Sequence, residues 1–240
     1  MTIEQNIDAI RQRIQKACKL SGRATNEVRL LLATKTVNTE RIKAAFRCGE
    51  TLIGENKVQE VKMKHEALNE FPHEQHFIGH LQTNKVKEIL KYDIQCIQSL
   101  DRLSLAEKLH HCLALNNKKI DVLIQVNTSE EESKFGIKPD EAVYFTKEVA
   151  KLNSLQIKGL MTIGLFSSDA DKVRACFIRL KEVRQEIIEA NISNIQMREL
   201  SMGMSGDLEI AIEEGATIIR VGTAIFGKRQ YPDSYYWNEN

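Results

Sequence analysis

The segment Val28–Gly54, VRLLLATKTVNTERIKAAFRCGETLIG, contains the pattern that decides the fold. Its two ends, Val28–Thr34 and Thr51–Gly54, are short stretches of mainly apolar and β-branched residues, which are typical of parallel strands buried on both faces. Between them, Thr39–Cys48 carries apolar residues at helical spacing. The segment therefore predicts one unit of strand, helix and parallel strand.

The same alternation of strand and helix continues along the chain and predicts eight units. The predicted strands are Val28–Thr34, Thr51–Gly54, His76–Gly79, Ile94–Ile97, Val122–Val126, Ile157–Thr162, Glu199–Met202 and Ile218–Val221. Helices are predicted after the first seven, at Thr39–Cys48, Lys57–Asn69, Asn84–Leu90, Arg102–Leu115, Pro139–Leu152, Asp171–Ala190 and Asp207–Glu214, whereas the eighth strand runs into a polar, aromatic tail. Short connections favour a closed barrel over an open sheet, because closure removes both sheet edges.

The length of the chain supports the same architecture. A (β/α)8 TIM-type barrel takes about 250 residues, and this chain has 240, with no Pro- or Gly-rich linker to divide it. Apolar residues at helical spacing from Ile3 to Ala17, after Thr2 as N-cap, predict an extra N-terminal helix. We therefore predict an α/β protein with one barrel domain over residues 1–240.

Charge and cysteine content exclude several classes of protein. Lys and Arg number 34 and Asp and Glu number 33, so the formal net charge of +1 favours neither nucleic acid nor a membrane surface as partner. The 5 cysteines are widely spaced and read as reduced thiols. His76 and His80 are too far apart along one strand to share a metal, so no metal site is predicted. Without a signal peptide or a long apolar run, we expect a cytosolic protein.

Candidate functional residues follow the predicted strands, because barrel active sites lie at the C-terminal strand ends. Phosphate groups are often held by the loops after strands 7 and 8, which here are Gly203–Asp207 and Gly222–Ala224. Both contain Gly, which lets the backbone approach an anion, and both offer a hydroxyl. Ordinary tight turns have the same composition, so the residues alone leave both interpretations open.

Lys35 ends the first apolar run and so reaches the predicted barrel mouth. It is either a solvated lysine at a strand end or an amine that forms a Schiff base. Apolar surroundings and a neighbouring cation favour the neutral form of an amine, which is the form that attacks an aldehyde. Arg220 lies on the eighth strand, next to the first in a closed barrel, and is a candidate for that cation.

Several ordered motifs resemble the pyridoxal phosphate homeostasis protein family. They are LATK at 32–35, IGEN at 53–56, HFIGHLQTNK at 76–85, LSMGMS at 200–205 and RVGTAIFG at 220–227, and the resemblance runs from about residue 5 to residue 229. This family resembles the barrel domain of alanine racemase. The resemblance implies a fold type III barrel that binds pyridoxal 5′-phosphate (PLP) as an internal aldimine on Lys35.

Matching the motifs residue by residue implies roles for further side chains. The resemblance places Ser205, Gly222 and Thr223 on the cofactor phosphate, with Ser201 nearby. Arg220 matches the arginine that faces the pyridine nitrogen in the racemases, although contact with the phosphate is the alternative. The resemblance also makes Asn56 and His80 pocket residues, and a structural role for His80 stays equally open.

The chain departs from the racemase pattern at two points. The racemases carry a tyrosine four residues after the lysine, where this chain has Thr39, and this sequence ends soon after the barrel, without their second, all-β domain. That domain supplies the base on the opposite face of the substrate. Tyr231, Tyr235 and Tyr236 are then the only candidates for a second base.

Three functions are compatible with these residues. The leading one is a non-catalytic, monomeric PLP-binding protein that serves intracellular PLP homeostasis and exchanges PLP with PLP-requiring apo-enzymes. The alternative is a PLP-dependent amino-acid racemase. If the family resemblance is set aside, the residues also allow a third function: a barrel enzyme for a small phosphorylated metabolite, with Lys35 as an aldolase-type base.

Overall fold

Eight parallel strands form a closed barrel in the computed structural model, which describes residues 1–129, 131 and 133–227. The strands are β1 Arg29–Ala33, β2 Leu52–Glu55, β3 Glu74–Phe77, β4 Ile94–Leu100, β5 Ile120–Gln125, β6 Leu155–Met161, β7 Glu199–Ser201 and β8 Ile218–Val221. Each pairs with the next in sequence, and β8 pairs with β1. The predicted (β/α)8 barrel is confirmed.

Helices connect the strands and cover the outside of the barrel. They are α1 Ile3–Leu20, α2 Thr39–Arg47, α3 Val58–Leu68, α4 Val86–Ile89, α5 Leu103–Ala114, α6 Ala142–Ala150, α7 Ala170–Glu189, α8 Leu208–Glu213 and α9 Thr223–Phe226, with 3₁₀ turns at Thr25–Glu27, Thr83–Lys85 and Pro139–Glu141. The prediction of no helix after β8 is wrong, because α9 follows it directly. Tyr231, Tyr235 and Tyr236 lie outside the described residues. No helix in the described ranges is long and apolar enough to cross a membrane.

The N-terminal helix α1 begins as predicted. Thr2 Oγ1 accepts a hydrogen bond from the backbone N–H of Gln5, and the Gln5 side chain accepts one from the backbone N–H of Thr2. One apolar face of the helix is buried in the main core, between strands and helices. Two polar side chains of the helix also form hydrogen bonds: Asn6 Nδ2 donates to the Ile225 carbonyl at 2.8 Å, and Arg13 donates to the Ser205 carbonyl at 3.0 Å. Helix α1 therefore supports the chain after β7 and after β8 from outside.

Of the eight strands, only β8 has its predicted bounds. The differences at β3 and β4 arise because the barrel interior is partly polar there. Strand β3 starts at Glu74 and ends at Phe77, two residues earlier than predicted, and β4 continues through Gln98 to Leu100. His76 bonds Glu74 at 2.7 Å through one ring nitrogen and Gln98 at 2.7 Å through the other. These partners make polar residues acceptable in a buried strand, which apolar patterning alone does not predict.

Gly159 lets β6 and β7 approach closely, and replacing it tests the barrel wall. A Cβ at this position would lie 1.9 Å from the Glu199 carbonyl oxygen. We expect Gly159→Ala to lower the free energy of unfolding by about 3 kcal/mol, the upper end for overpacking, measured by urea denaturation. The control is Gly206→Ala, where an added Cβ meets no atom within 4 Å. Equal stability of the two variants would contradict this packing.

Candidate functional site

A cleft of about 740 Å³ opens where the chain leaves the C-terminal ends of the strands. Its volume lies within the range of small-molecule sites. Six of the residues that the sequence singled out line it: Lys35, Asn56, Ser205, Arg220, Gly222 and Thr223. Ser201 and His80 do not line this cleft.

Lys35 lies in a tight turn between β1 and α2. Strand β1 ends at Ala33, and Thr36 adopts a φ of 64°, a left-handed conformation that is uncommon for a residue with a β-branched side chain. Asn38 then caps α2 by accepting a hydrogen bond from the Arg41 N–H at 3.0 Å. The turn sets Lys35 at the barrel mouth instead of continuing the strand outward.

The pairing of β1 with β8 brings a second segment next to this turn. Leu31 pairs with Arg220 and Leu32 with Val221, so the loop that begins at Gly222 lies beside the end of β1. A Cβ on Gly222 would be 2.9 Å from the Ala33 carbonyl oxygen. Glycine is therefore required here by close backbone approach.

The loops after β7 and β8 present two hydroxyl groups to the same cleft. Ser205 Oγ accepts a hydrogen bond of 3.4 Å from the Ala224 N–H, which joins the two loops. Asp207 Oδ1 accepts one of 2.5 Å from the Met204 N–H and holds the first loop in shape. Thr223 is exposed at the start of α9. Donors from two neighbouring loops thus converge on one region of the cleft.

Arg220 enters the cleft from inside the barrel. Its two terminal nitrogens donate to Ser201 Oγ at 2.8 Å and to the Thr162 carbonyl at 2.7 Å. Burial lowers the pKa of Arg220 to about 10, and the group is still a cation at neutral pH. Ser201 in turn donates to Gln98 Oε1 at 2.6 Å. Ser201 therefore lies beneath the cleft, where it contacts Arg220.

His80 belongs to a different part of the barrel mouth. It follows the end of β3 by three residues, and its ring stacks on Phe135 with centroids 3.9 Å apart. Its Nδ1 lies 3.4 Å from Asp101 Oδ2, and burial lowers its pKa. These contacts connect His80 to the segments after β4 and after β5. In the described ranges no three His, Cys, Asp or Glu side chains are grouped to hold a metal.

The cleft also contains residues that the sequence did not single out. Arg41 lies in the first turn of α2 and donates to the Phe226 carbonyl at 2.6 Å. Ile163, Leu165 and Phe166, after β6, form an apolar wall. The first turn of a helix that follows a barrel strand lies at the active face. The position of Arg41 shortly after the first predicted strand could therefore have identified it as a candidate from the sequence.

Comparison with known proteins places this site in a family. The family described as alanine racemase, N-terminal domain, matches residues 3–230. A pyridoxal phosphate homeostasis protein of Aquifex aeolicus is 43% identical over 227 residues, which cover 95% of this chain and 98% of that protein.

Two solved structures extend the comparison. The structure of PipY from Synechococcus elongatus with PLP bound is 30% identical, with a TM-score of 0.79 over 90% of this chain and all of that one (100%). An alanine racemase of Corynebacterium glutamicum is 12% identical, with a TM-score of 0.68 over 93% of this chain and 61% of the racemase, and shares the fold. The chain belongs to the pyridoxal phosphate homeostasis protein family, and its barrel is that of the alanine racemase N-terminal domain.

Proposed function

We propose that this protein binds PLP on Lys35 and serves PLP homeostasis in the cell, releasing the cofactor to PLP-requiring apo-enzymes. One observation carries the proposal. The Lys35 turn and the hydroxyls of Ser205 and Thr223 line one cleft, although they come from opposite ends of the sequence. The name of the A. aeolicus relative and the PLP in the PipY structure support the same ligand.

The residues of the cleft fit the chemical parts of PLP. When bound, PLP supplies an aldehyde that condenses reversibly with an amine, and an anionic phosphate. Lys35 is the amine, and Ser205, Thr223 and the backbone at Gly222 are the phosphate donors. In this fold, phosphate is frequently bound by the loops after strands 7 and 8 together with the N-terminus of a short extra helix. Here the short helix α9 begins directly after β8. Asn56 and the apolar wall after β6 would border the ring.

Arg220 would influence the electronic properties of the bound cofactor. Its guanidinium is held rigidly by Ser201 and Thr162, and it is a cation that cannot accept a hydrogen bond. If it faces the pyridine nitrogen, it donates to that nitrogen and keeps it unprotonated. The ring is then a weaker electron sink for chemistry at the α-carbon of an amino acid. The racemases carry an arginine at the matching position, so this contact alone does not separate a carrier from a racemase.

Racemisation requires an acid or base on each face of the substrate. Among the described residues that line the cleft, the ionisable groups are Lys35, Arg41, Asp207 and Arg220. A guanidinium is a poor general acid or base, and the Asp207 carboxylate accepts a hydrogen bond from the Met204 N–H. Among the cleft residues that the structure describes, Lys35 is then the one candidate for moving a proton, which favours binding over racemisation. The monomeric state and the cytosolic location stay predictions.

Lys35→Ala should abolish the covalent adduct and leave the barrel folded, because the side chain follows the strand and lies outside the core. The measurement is the visible absorption band on adding PLP, together with borohydride reduction and peptide mapping in the wild type. Lys62→Ala, on the exposed face of α3, is the control and should retain the band. A borohydride label on any other lysine would show that the assignment is wrong.

The double variant Ser205→Ala/Thr223→Ala should weaken PLP binding by about 2 to 5 kcal/mol, since each change removes a hydroxyl donor to an anion. Equilibrium titration of PLP measures the loss. Ser167→Ala is the matched control, because it also borders the cleft but lies after β6. Unchanged affinity in the double variant would place the phosphate elsewhere.

The purified protein should bind PLP and racemise alanine no faster than free PLP. The absence of a general acid or base lowers the rate of such a reaction by about 100- to 10,000-fold. Incubation with L-alanine in deuterated water, followed by analysis of the enantiomers, decides the question. Solvent deuterium in D-alanine at enzymatic rates would overturn the carrier function and support the racemase.

A further inference from the structure

A buried ionic cluster lies directly behind the turn that carries Lys35. Its centre is Lys64 on α3, which is only 8% exposed, and its partner Glu55 at the end of β2 is 0% exposed. The Lys64 ammonium donates to Glu55 Oε1 at 2.7 Å, to Glu60 Oε2 at 2.7 Å and to the Thr34 carbonyl at 2.9 Å. All three of its N–H donors are therefore used.

The cluster holds the backbone on both sides of Lys35. Before Lys35, the Thr34 carbonyl accepts from Lys64, and Thr34 Oγ1 donates to Glu55 at 2.6 Å. After Lys35, the Thr36 N–H donates to Glu60 Oε2 at 2.7 Å, the same oxygen that accepts from Lys64. One ammonium thus links the residue before Lys35 to the residue after it.

The turn needs such support, because its conformation is costly. Thr36 has a φ of 64°, and a β-branched residue persists in the left-handed region only where surrounding contacts hold it. The Glu60 carboxylate supplies one of these contacts at the Thr36 amide. Without it the turn would relax toward ordinary backbone angles, and Lys35 would change its direction of approach into the cleft.

The cluster is a poor device for stability alone. Burial raises the pKa of Glu55 to about 7, and the ammonium of Lys64 opposes this change. Glu55 Oε2 is buried and makes no hydrogen bond. Apolar residues of similar volume often replace a buried ion pair without loss of stability. The directed contacts to Thr34 and Thr36 are what an apolar replacement would not provide.

We propose that Lys64 is a positioning residue for Lys35, which presets the turn so that the amine is aimed at the aldehyde of a phosphorylated pyridoxal ligand. The proposal rests on the proposed function, because it assigns Lys35 as the reacting amine. Lys64 does not line the cleft, so its effect on the ligand passes through the turn. The phosphate donors lie on the loops after β7 and β8, outside these contacts.

This arrangement separates two steps of binding. Phosphate recognition should not depend on Lys64, whereas covalent capture should. A misplacement of about 1 Å costs up to about 100-fold in the rate of a reaction between positioned groups. A general loss of structure would weaken both steps together, so the two steps distinguish positioning from stability.

The test compares wild type with Lys64→Met, and with Lys62→Met as control, since Lys62 lies on the same helix with an exposed side chain. Stopped-flow absorbance measures the rate of the covalent band with PLP. Competition by pyridoxine 5′-phosphate, which has the phosphate and no aldehyde, measures non-covalent affinity. We expect adduct formation about 10- to 100-fold slower in Lys64→Met, with pyridoxine 5′-phosphate affinity within about twofold.

A second variant covers the case in which Lys64→Met does not fold because Glu55 is left unpaired. The double variant Lys64→Met/Glu55→Gln removes both charges and should show the same slow adduct formation. Rates within about twofold of wild type in a folded variant would overturn the proposal, as would an equal loss of pyridoxine 5′-phosphate affinity.

Hydrogen exchange of the Thr36 amide, measured without PLP, separates this proposal from the proposed function. Exchange should be faster in Lys64→Met than in wild type and unchanged in Lys62→Met, because the Thr36 N–H loses an ordered acceptor. Equal exchange in all three proteins would overturn the positioning role. Absence of any covalent band in wild type would instead contradict the proposed function and leave the exchange result to decide on the turn.

Discussion

The pairing of β1 with β8 is the constraint on which the site depends. These strands are separated by almost the whole sequence, and their register sets Leu31 beside Arg220 and Leu32 beside Val221. Buried backbone N–H and C=O groups must pair, so neither strand can shift without losing the ladder. Closure thereby puts the Lys35 turn beside the Gly222 loop. Segments from near the two ends of the sequence then line one cleft.

Inside the barrel, a chain of hydrogen bonds extends from one end to the other. It passes from Glu74 to His76, Gln98 and Ser201, and ends at Arg220 on the floor of the cleft. The hydrogen bond from His76 is the largest cause that lowers the pKa of Glu74 to about 2. Because each buried polar group has a partner, the chain orients the Arg220 guanidinium without leaving an unsatisfied group.

Support from outside the barrel is equally specific. Arg13 on α1 pairs with Glu209 and also donates to the Ser205 carbonyl, so the N-terminal helix reaches the back of the loop after β7. The buried cluster around Lys64 does the same for the turn after β1. The alanine racemase barrel has the same fold at 12% identity. A shared fold does not by itself determine the chemistry of a site. The chemistry is determined by the side chains at the strand ends and by the residues that hold those side chains in place.

The sequence by itself determined the elements whose signals are local. Strand and helix periodicity predicted all eight strands, the first seven connecting helices and α1 with its Thr2 cap, and the motifs predicted the six residues that meet in the cleft. Only the tertiary structure decided the bounds of β3 and β4 and the presence of the short helix α9. It also decided the place of Ser201 beneath the cleft, that of His80 beside Phe135, and the contact of Lys64 with the Thr34 carbonyl. Those features depend on contacts between distant residues, such as Gln98 with Ser201, 103 positions apart. A polar side chain in a buried strand is favourable only when such a partner is present, and the partner becomes known only when the barrel closes.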